Sequence, residues 1–283
     1  MGFRYYKDNR EYIEALRKSG DVVDIYEEVH WDLELGAIVR RVCEKKGPAA
    51  FFHKITDYPN FRAFGAPIAT YRRLAVALGL EPETPIPKIA EEYTRRTKGQ
   101  PIKPKIIDKK DAPCKEVILL GEDADLFDLL APMVHDGDGG RYIGTWHFVV
   151  AKDLDTDFVN WGMYRQMVYD EKTMVGPILP FSDMGKMLTK YAAKNLPMPF
   201  ATVIGPDPLS AIASSAPSPI DEVDFTGMLM GEPVELVKCE TSDLYVPAHA
   251  EIIIEGVIIP NVLLDEAPFG EYTGYRTSPR DKR

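Results

Sequence analysis

Cysteine is scarce in this chain. Cys43, Cys114 and Cys239 are the only three among 283 residues, and no two stand in a CxxC spacing. An odd, scattered set supports neither a zinc ribbon nor a disulfide framework; it fits a reduced cytoplasmic protein with ordinary core thiols. Long apolar runs are missing as well. None approaches the roughly 18 residues that a membrane span requires. The N-terminal MGFRYYKDNREYIEAL is charged from residue 4 and lacks the apolar stretch of a signal peptide. Basic charge is in deficit, 34 Lys and Arg against 44 Asp and Glu for a formal net of −10. That argues against a nucleic-acid partner, whose phosphates need neutralising. There is no GxGxxG, no Walker loop and no GxSxG. The five histidines, His30, His53, His135, His147 and His249, show no HxxxH or HExxH spacing, so each is expected to be structural rather than a ligand.

What is present is ample apolar material, 45% of the residues, enough for one large or two medium domains. Asp8 or Asn9 caps an expected helix with Tyr12, Ile13 and Leu16 on one face, ending at Gly20. A second helix runs through Leu33, Leu35, Ile38, Val39 and Val42 and stops at Gly47-Pro48. AAFFHKI and NFRAFGAP read as strands and YRRLAVALGL as a helix, an α/β texture. GQPIKPKIIDKKDAP, 99 to 113, reads as a linker or surface connection. Beyond it YIGTWHFVVAK, DFVNWGMYRQMVYD, FATVIG, ELVKCE and AEIIIEGVII are strand-like, with helices at FSDMGKMLTKYAAKNLP and LSAIASSA. The division is therefore an N-terminal α/β domain over 1–113 and a strand-dominated, barrel-like or mixed-sheet domain over 114–283.

Four stretches could carry chemistry. In NWGMYRQMV, Gly162 admits close backbone approach and Arg165 offers a charged fork for carboxylate or phosphate, although taken alone the string reads first as a strand ending at a surface arginine. In FSDMGK, Ser182 or Asp183 stands at a helix start, where capping is the ordinary role and anion binding the alternative. SSAPSPIDE ends in Asp221 and Glu222, a solvated acidic loop unless Glu222 joins Asn160 and Asp183 in an all-oxygen set for Mg²⁺ or Mn²⁺. Finally, DEAPFGEYTGY sets Glu266 and Glu271 among Phe269, Tyr272 and Tyr275. That is either a plain turn with exposed acids, or a pair in which a carboxyl packed on aromatics serves as general acid. The glycines of HDGDGGRYIGT, beside His135 and His147, could close over a ligand.

Three strings, NWGMYR at 160–165, ETSDLYVPAHAEIIIEG at 240–256 and EAPFGEYTGY at 266–275, together resemble the UbiD family of reversible decarboxylases, which use prenylated FMN. The resemblance implies a split-β-barrel flavin-binding domain over 114–283 and a catalytic set of Arg165, Glu266 and Glu271, with Glu271 donating the proton that replaces CO₂. It implies that Asn160, Asp183 and Glu222 hold Mn²⁺ (or Mg²⁺) at the cofactor phosphate, with Asp183 standing where the family has histidine. Ala213, Ser214 and Ala216 match a K⁺ site, Thr145 a cofactor-contacting threonine, and Gly162, Met163, Tyr164 and Ser182 fall beside the expected flavin. The implied activity is reversible, non-oxidative (de)carboxylation of an aromatic acid, phenolic acids included. A flavin prenyltransferase supplies the cofactor, and the chain works as a homo-oligomer or within a multi-subunit complex. The family continues beyond the last glutamate into a C-terminal domain, so TSPRDKR as the end of this chain implies that this domain is absent from it. Two other classes stand beside this reading. One is a non-catalytic cofactor-binding or assembly subunit; the other is a Mg²⁺-dependent phosphate-ester hydrolase built from Asn160, Asp183 and Glu222.

Overall fold

A computed structural model describes residues 4–218, 220–271 and 273–277. Tyr272, Pro219 and all but the first residue of TSPRDKR therefore lie outside the described residues. The helices are α1 (Asn9–Lys18), α2 (Glu34–Lys45), α3 (Tyr71–Ala77), α4 (Ile86–Arg96), α5 (Asp183–Ala193), α6 (Pro208–Ala213) and α7 (Glu222–Met230). The strands are β1 (Val22–Val29), β2 (Ala49–Ile55), β3 (Ala63–Gly65), β4 (Lys105–Ile106), β5 (Tyr142–Gly144), β6 (His147–Lys152), β7 (Val159–Gly162), β8 (Gln166–Val168), β9 (Met174–Val175), β10 (Met198–Ile204), β11 (Glu235–Lys238), β12 (Tyr245–Pro247) and β13 (Ile252–Ile258).

Local chemistry explains the helix ends. Asp8 accepts from the Glu11 N–H at the start of α1, whose Tyr12, Ile13 and Leu16 are buried. Ser182 does the same for Gly185 at α5, which buries Met184, Met187 and Tyr191. In the first half, β1 and β2 run parallel, joined through α2, and β3 adds antiparallel to β2. In the second half, β13, β10, β6 and β7 form an antiparallel sheet in that order, and β5, β8 and β9 form another. The fold is mixed α/β. The stretch 99–113 also holds β4, which pairs in parallel with β11, so its Lys105 and Ile106 belong to a sheet with β12.

The largest apolar cluster draws on both halves: Leu78 and Ile89 pack with Phe148, Trp161, Leu209 and Leu229. Arg96, 3% exposed, donates to the carbonyls of Leu78 and Leu229, which ties α4 to α7. Phe148 stacks on Trp161 at 4.5 Å between centroids, fixing β6 against β7. The connection from β7 to β8 thus leaves from a rigid platform. Among the described residues no helix is long and apolar enough to cross a membrane.

Candidate active site

The stretch 160–165, the end of β7 and its connection to β8, is where the second half converges. The Trp161 N–H donates to Glu222 Oε2 at 2.9 Å, which brings in the start of α7. The Ser215 hydroxyl, which donates to the Ala211 carbonyl at 2.9 Å, lies 3.3 Å from Met163 Sδ, which brings in the end of α6. Tyr164 Oη accepts from Asn160 Nδ2 at 3.4 Å and from the Met184 N–H at 3.3 Å, which brings in the first turn of α5. His147 Nε2 lies 2.7 Å from the Tyr164 carbonyl, which can only accept, so that nitrogen carries the proton. Met163 itself is exposed.

Arg165 reaches the far loop. Its Nε and Nη2 donate to Glu266 Oε1 and Oε2 at 2.5 and 2.9 Å, and Nη1 donates to Glu271 Oε1 at 2.5 Å. The Glu266 side chain is 1% exposed, that of Arg165 17% and that of Glu271 31%. A surface arginine and a turn with two exposed acids are therefore both excluded. Burial opposes the Arg165 charge, but the hydrogen bond and charge of Glu266, with the charge of Glu271, outweigh it and hold the guanidinium's pKa above its usual value. Phe269 lies under the guanidinium, 5.5 Å from centroid to Cζ, and packs on Tyr142 at 4.3 Å. The Tyr142 hydroxyl is 3.0 Å from the Ala267 carbonyl and 3.4 Å from Glu266 Oε1. Burial, with the charge of Glu266 added, pushes this phenol's pKa up, so it stays a donor. The site therefore holds two carboxylates of unequal access, bridged by one permanent cation. Glu266 is enclosed, while Glu271 reaches solvent.

The oxygen set lies on the other side of the same string. Asn160 and Glu222 are both buried, and Glu222 opens α7 rather than sitting in a solvated acidic loop. Burial, with a smaller contribution from the Asp183 charge, pushes the Glu222 carboxyl up to about 7 against the pull of the Trp161 N–H. Asp183 is half exposed and pairs with Lys186 at 2.8 Å, and the cap of α5 is Ser182. Among the described residues no three His, Cys, Asp or Glu side chains gather as a metal cluster, so a cation here would depend on the Asn160 amide oxygen. The chemistry fits one. A carboxylate held above its normal pKa chiefly by burial is relieved by a hard divalent ion, and amide and carboxylate oxygens are its preferred donors.

The remaining expected residues occupy defined places. Ala213 ends α6, the Ser214 hydroxyl donates to the Ala211 carbonyl at 3.0 Å, and the Ala216 N–H donates to Ala213 at 3.1 Å. Thr145 is exposed on the link between β5 and β6. Beside Gly162, the space a Cβ would occupy is filled by Tyr164 Cε2 at 2.6 Å. Two contributors carried no local signal in the sequence: the Tyr142 phenol, and the His135–Asp138 pair behind the glutamate loop. The HDGDGG glycines marked the last place for flexibility alone, and its contacts reach across more than a hundred residues.

Comparison with known proteins converges on one group. Residues 105–283 match the 3-octaprenyl-4-hydroxybenzoate carboxy-lyase Rift-related domain, UbiD, and residues 13–93 match the N-terminal domain of the same enzymes. Pyrrole-2-carboxylic acid decarboxylase of Pseudomonas aeruginosa is 36% identical over 278 residues, 95% of this chain and 56% of that protein. Ferulic acid decarboxylase 1 of Saccharomyces cerevisiae is 34% identical over 279 residues, 94% of this chain and 56% of its own length. Among solved structures, the closed form of Sedimentibacter hydroxybenzoicus vanillic acid decarboxylase superposes with a TM-score of 0.94 at 34% identity, over 98% of this chain and 60% of that one. An evolved dimeric form of the UbiD-class enzyme HmfF from Pelotomaculum thermopropionicum, in complex with prFMN, gives 0.88 at 29% identity, over 97% of this chain and 63% of that one. The chain thus spans little more than half the length of the curated relatives it matches.

Proposed function

The chain belongs to the UbiD family, and we propose that it carries out reversible, non-oxidative (de)carboxylation of an aromatic carboxylic acid, phenolic acids included, with prenylated FMN as cofactor. The observation that carries this reading is the Arg165 fork between an enclosed Glu266 and a solvent-reached Glu271. Loss of CO₂ from an aromatic ring leaves an sp² carbanion with no carbonyl to stabilise it. When bound, prenylated FMN supplies the electron sink for that charge.

The chain's own residues supply the rest. Arg165 receives the substrate carboxylate and holds Glu266 in place beside it through its planar fork. Glu271 donates its proton to the ring carbon that loses CO₂: its O–H bond breaks as the product C–H bond forms. Its partial exposure then lets water restore the proton. Run backwards, Glu271 removes the ring proton and CO₂ takes its place. Tyr142 and Phe269 wall the pair on the side of β5.

The flavin-binding unit is read as a split β-barrel over 114–283, behind an N-terminal α/β unit over 1–113. Asn160, Asp183 and Glu222 would hold Mn²⁺ or Mg²⁺ against the cofactor phosphate, and Ala213, Ser214 and Ala216 a K⁺, with Thr145, Gly162, Met163, Tyr164 and Ser182 lining the flavin. A flavin prenyltransferase supplies the cofactor, and the chain works as a homo-oligomer or within a multi-subunit complex. Free Cys43, Cys114 and Cys239 fit a reducing cytoplasm. A non-catalytic flavin-binding or assembly subunit is not favoured, because such a chain has no need of a paired glutamate–arginine–glutamate set.

Co-expression with a flavin prenyltransferase tests the reading. The expected result is prenylated FMN released on denaturation, together with CO₂ evolution from at least one member of a panel of pyrrole, cinnamic and hydroxybenzoic acids. Prenylated FMN bound with no turnover across the panel in either direction would overturn it in favour of a binding subunit.

A further inference from the structure

We propose that Asp138 is a positioning residue for Glu271, acting through the backbone N–H of Gly270; this rests on the proton-donor role given to Glu271 above. The Asp138 side chain is 0% exposed and faces three donors. Its Oδ1 accepts from the Gly270 N–H at 2.7 Å, and its Oδ2 accepts from the His135 N–H at 2.9 Å and lies 3.2 Å from His135 Nδ1. A buried carboxylate taking charge-assisted bonds is a stiff anchor. The residue it holds is the one before Glu271.

The rest of the loop is clasped from the same side. The Gly139 N–H donates to the Pro268 carbonyl at 2.8 Å, and the His135 ring meets Phe269 edge-on at 5.7 Å. Arg276 donates to the Asp136 carbonyl. The fit is close: a Cβ on Gly139 would stand 2.3 Å from the Ala267 Cβ, and one on Gly270 2.7 Å from His135 Nδ1. Beyond the clasp, the Glu271 N–H donates to the Tyr275 carbonyl at 2.8 Å beside the Gly270–Arg276 bridge, so Glu271 sits where a small hairpin closes. Glu271 is partly exposed, and Arg165 holds its carboxylate from one side only. Its backbone must therefore be set from elsewhere, and Asp138 sets it. The glycine-rich stretch 135–140 is a rigid brace for the proton donor, not a flap.

Four full-length chains test this: Asp138→Ala, Asp138→Asn, Glu271→Gln and the Asp138→Ala/Glu271→Gln double variant. Hydrogen–deuterium exchange of the Gly270 amide should quicken about tenfold in Asp138→Ala, as expected when a bond to a charged acceptor is lost. With bound flavin and KM unchanged, kcat should fall about 100-fold, the scale of an ångström's misplacement. The double variant should be no slower than Glu271→Gln, because one residue works through the other. Asp138→Asn keeps the size and one acceptor oxygen for two N–H groups, so it should fall between wild type and Asp138→Ala, and it decides the matter if the alanine variant does not fold. Unchanged Gly270 exchange overturns the proposal, as do losses that multiply in the double variant. Wild-type turnover in Glu271→Gln overturns the proton-donor reading, whereas slow Glu271→Gln beside normal Asp138→Ala and Asp138→Asn overturns this inference alone.

Discussion

Arg165 and Glu266 meet as two parallel hydrogen bonds, 2.5 and 2.9 Å, with the carboxylate side chain 1% exposed. The two residues are 101 positions apart in the chain, so the pairing is a product of the fold, and it leaves Nη1 to reach Glu271. Replacing Arg165 by Ala strips the counter-charge from an enclosed carboxylate. Removing one partner of a buried pair costs about 3–5 kcal/mol, so Arg165→Ala should lower the melting temperature by several degrees and abolish turnover together. Arg165→Lys keeps the charge but not the planar fork; it should recover part of the stability and little of the activity. Thermal melts and initial rates on the three proteins check this, and a fully active lysine variant would dismiss the geometric role of the fork.

Glu271 separates stability from chemistry. It is the exposed member of the pair, so Glu271→Gln should melt within a degree or two of wild type and retain its flavin spectrum. Loss of a positioned proton donor lowers rates by about 10²–10⁴-fold, and the decrease should be in kcat with KM nearly unchanged. Single-turnover decarboxylation with the flavin absorbance recorded alongside reads both quantities. Wild-type kcat in this variant would place the proton donor elsewhere.

Much of this was legible in the sequence, for identifiable reasons. Asp8 and Ser182 announce α1 and α5 because capping is a local event. The strings 160–165 and 266–271 stand out because each packs charged residues, glycine and aromatics into a few positions. What escaped is what local pattern does not encode. Strand β1 carries Asp24, Glu27 and Glu28 among its apolar residues, which dilutes the period-two signal. Helix α4 starts behind Pro85 with no side-chain cap. All nine residues of α7 are buried, so it shows no polar face and no helical period, and Glu222 passed for the end of a solvated loop. The brace at Asp138 depends on a contact across 132 positions, which no local reading recovers.

A divalent cation should bind the Asn160–Asp183–Glu222 set in a pH-dependent way. Burial holds Glu222 near 7, so below that pH it is protonated, and a metal must displace the proton. Affinity for Mn²⁺ in the presence of FMN should therefore rise as pH increases from 6 to about 7.5 and level off above. Glu222→Gln has no such proton to lose and should bind weakly at every pH. Electron paramagnetic resonance titration of free Mn²⁺ measures this directly; affinity independent of pH in the wild type would remove Glu222 from the coordination sphere.

His147 should make the fold acid-sensitive. Its ring is buried, Nε2 donates to the Tyr164 carbonyl, and Nδ1 has no hydrogen-bond partner among the described residues. Burial lowers its pKa from 6.5 to about 4 against the opposing pull of the Tyr164 carbonyl. Because the folded value is the depressed one, the neutral ring costs nothing above pH 6.5. As pH falls from there towards 4, the unfolded chain takes up a proton that the folded chain refuses. Stability is lost across that window, by about 3 kcal/mol at its lower end. Below 4 the folded ring is protonated as well, and an imidazolium there puts its new N–H on Nδ1, where no acceptor waits. The effect reaches the 160–165 string, because the Tyr164 carbonyl adjoins Arg165. His147→Gln cannot titrate, so its urea midpoint should fall less steeply than that of wild type between pH 6.5 and 4, although it starts lower for want of the ring's packing. Parallel slopes in the two proteins would mean that the histidine is already protonated in the folded state at pH 6, and an NMR titration of its Cε1 proton would then show that directly.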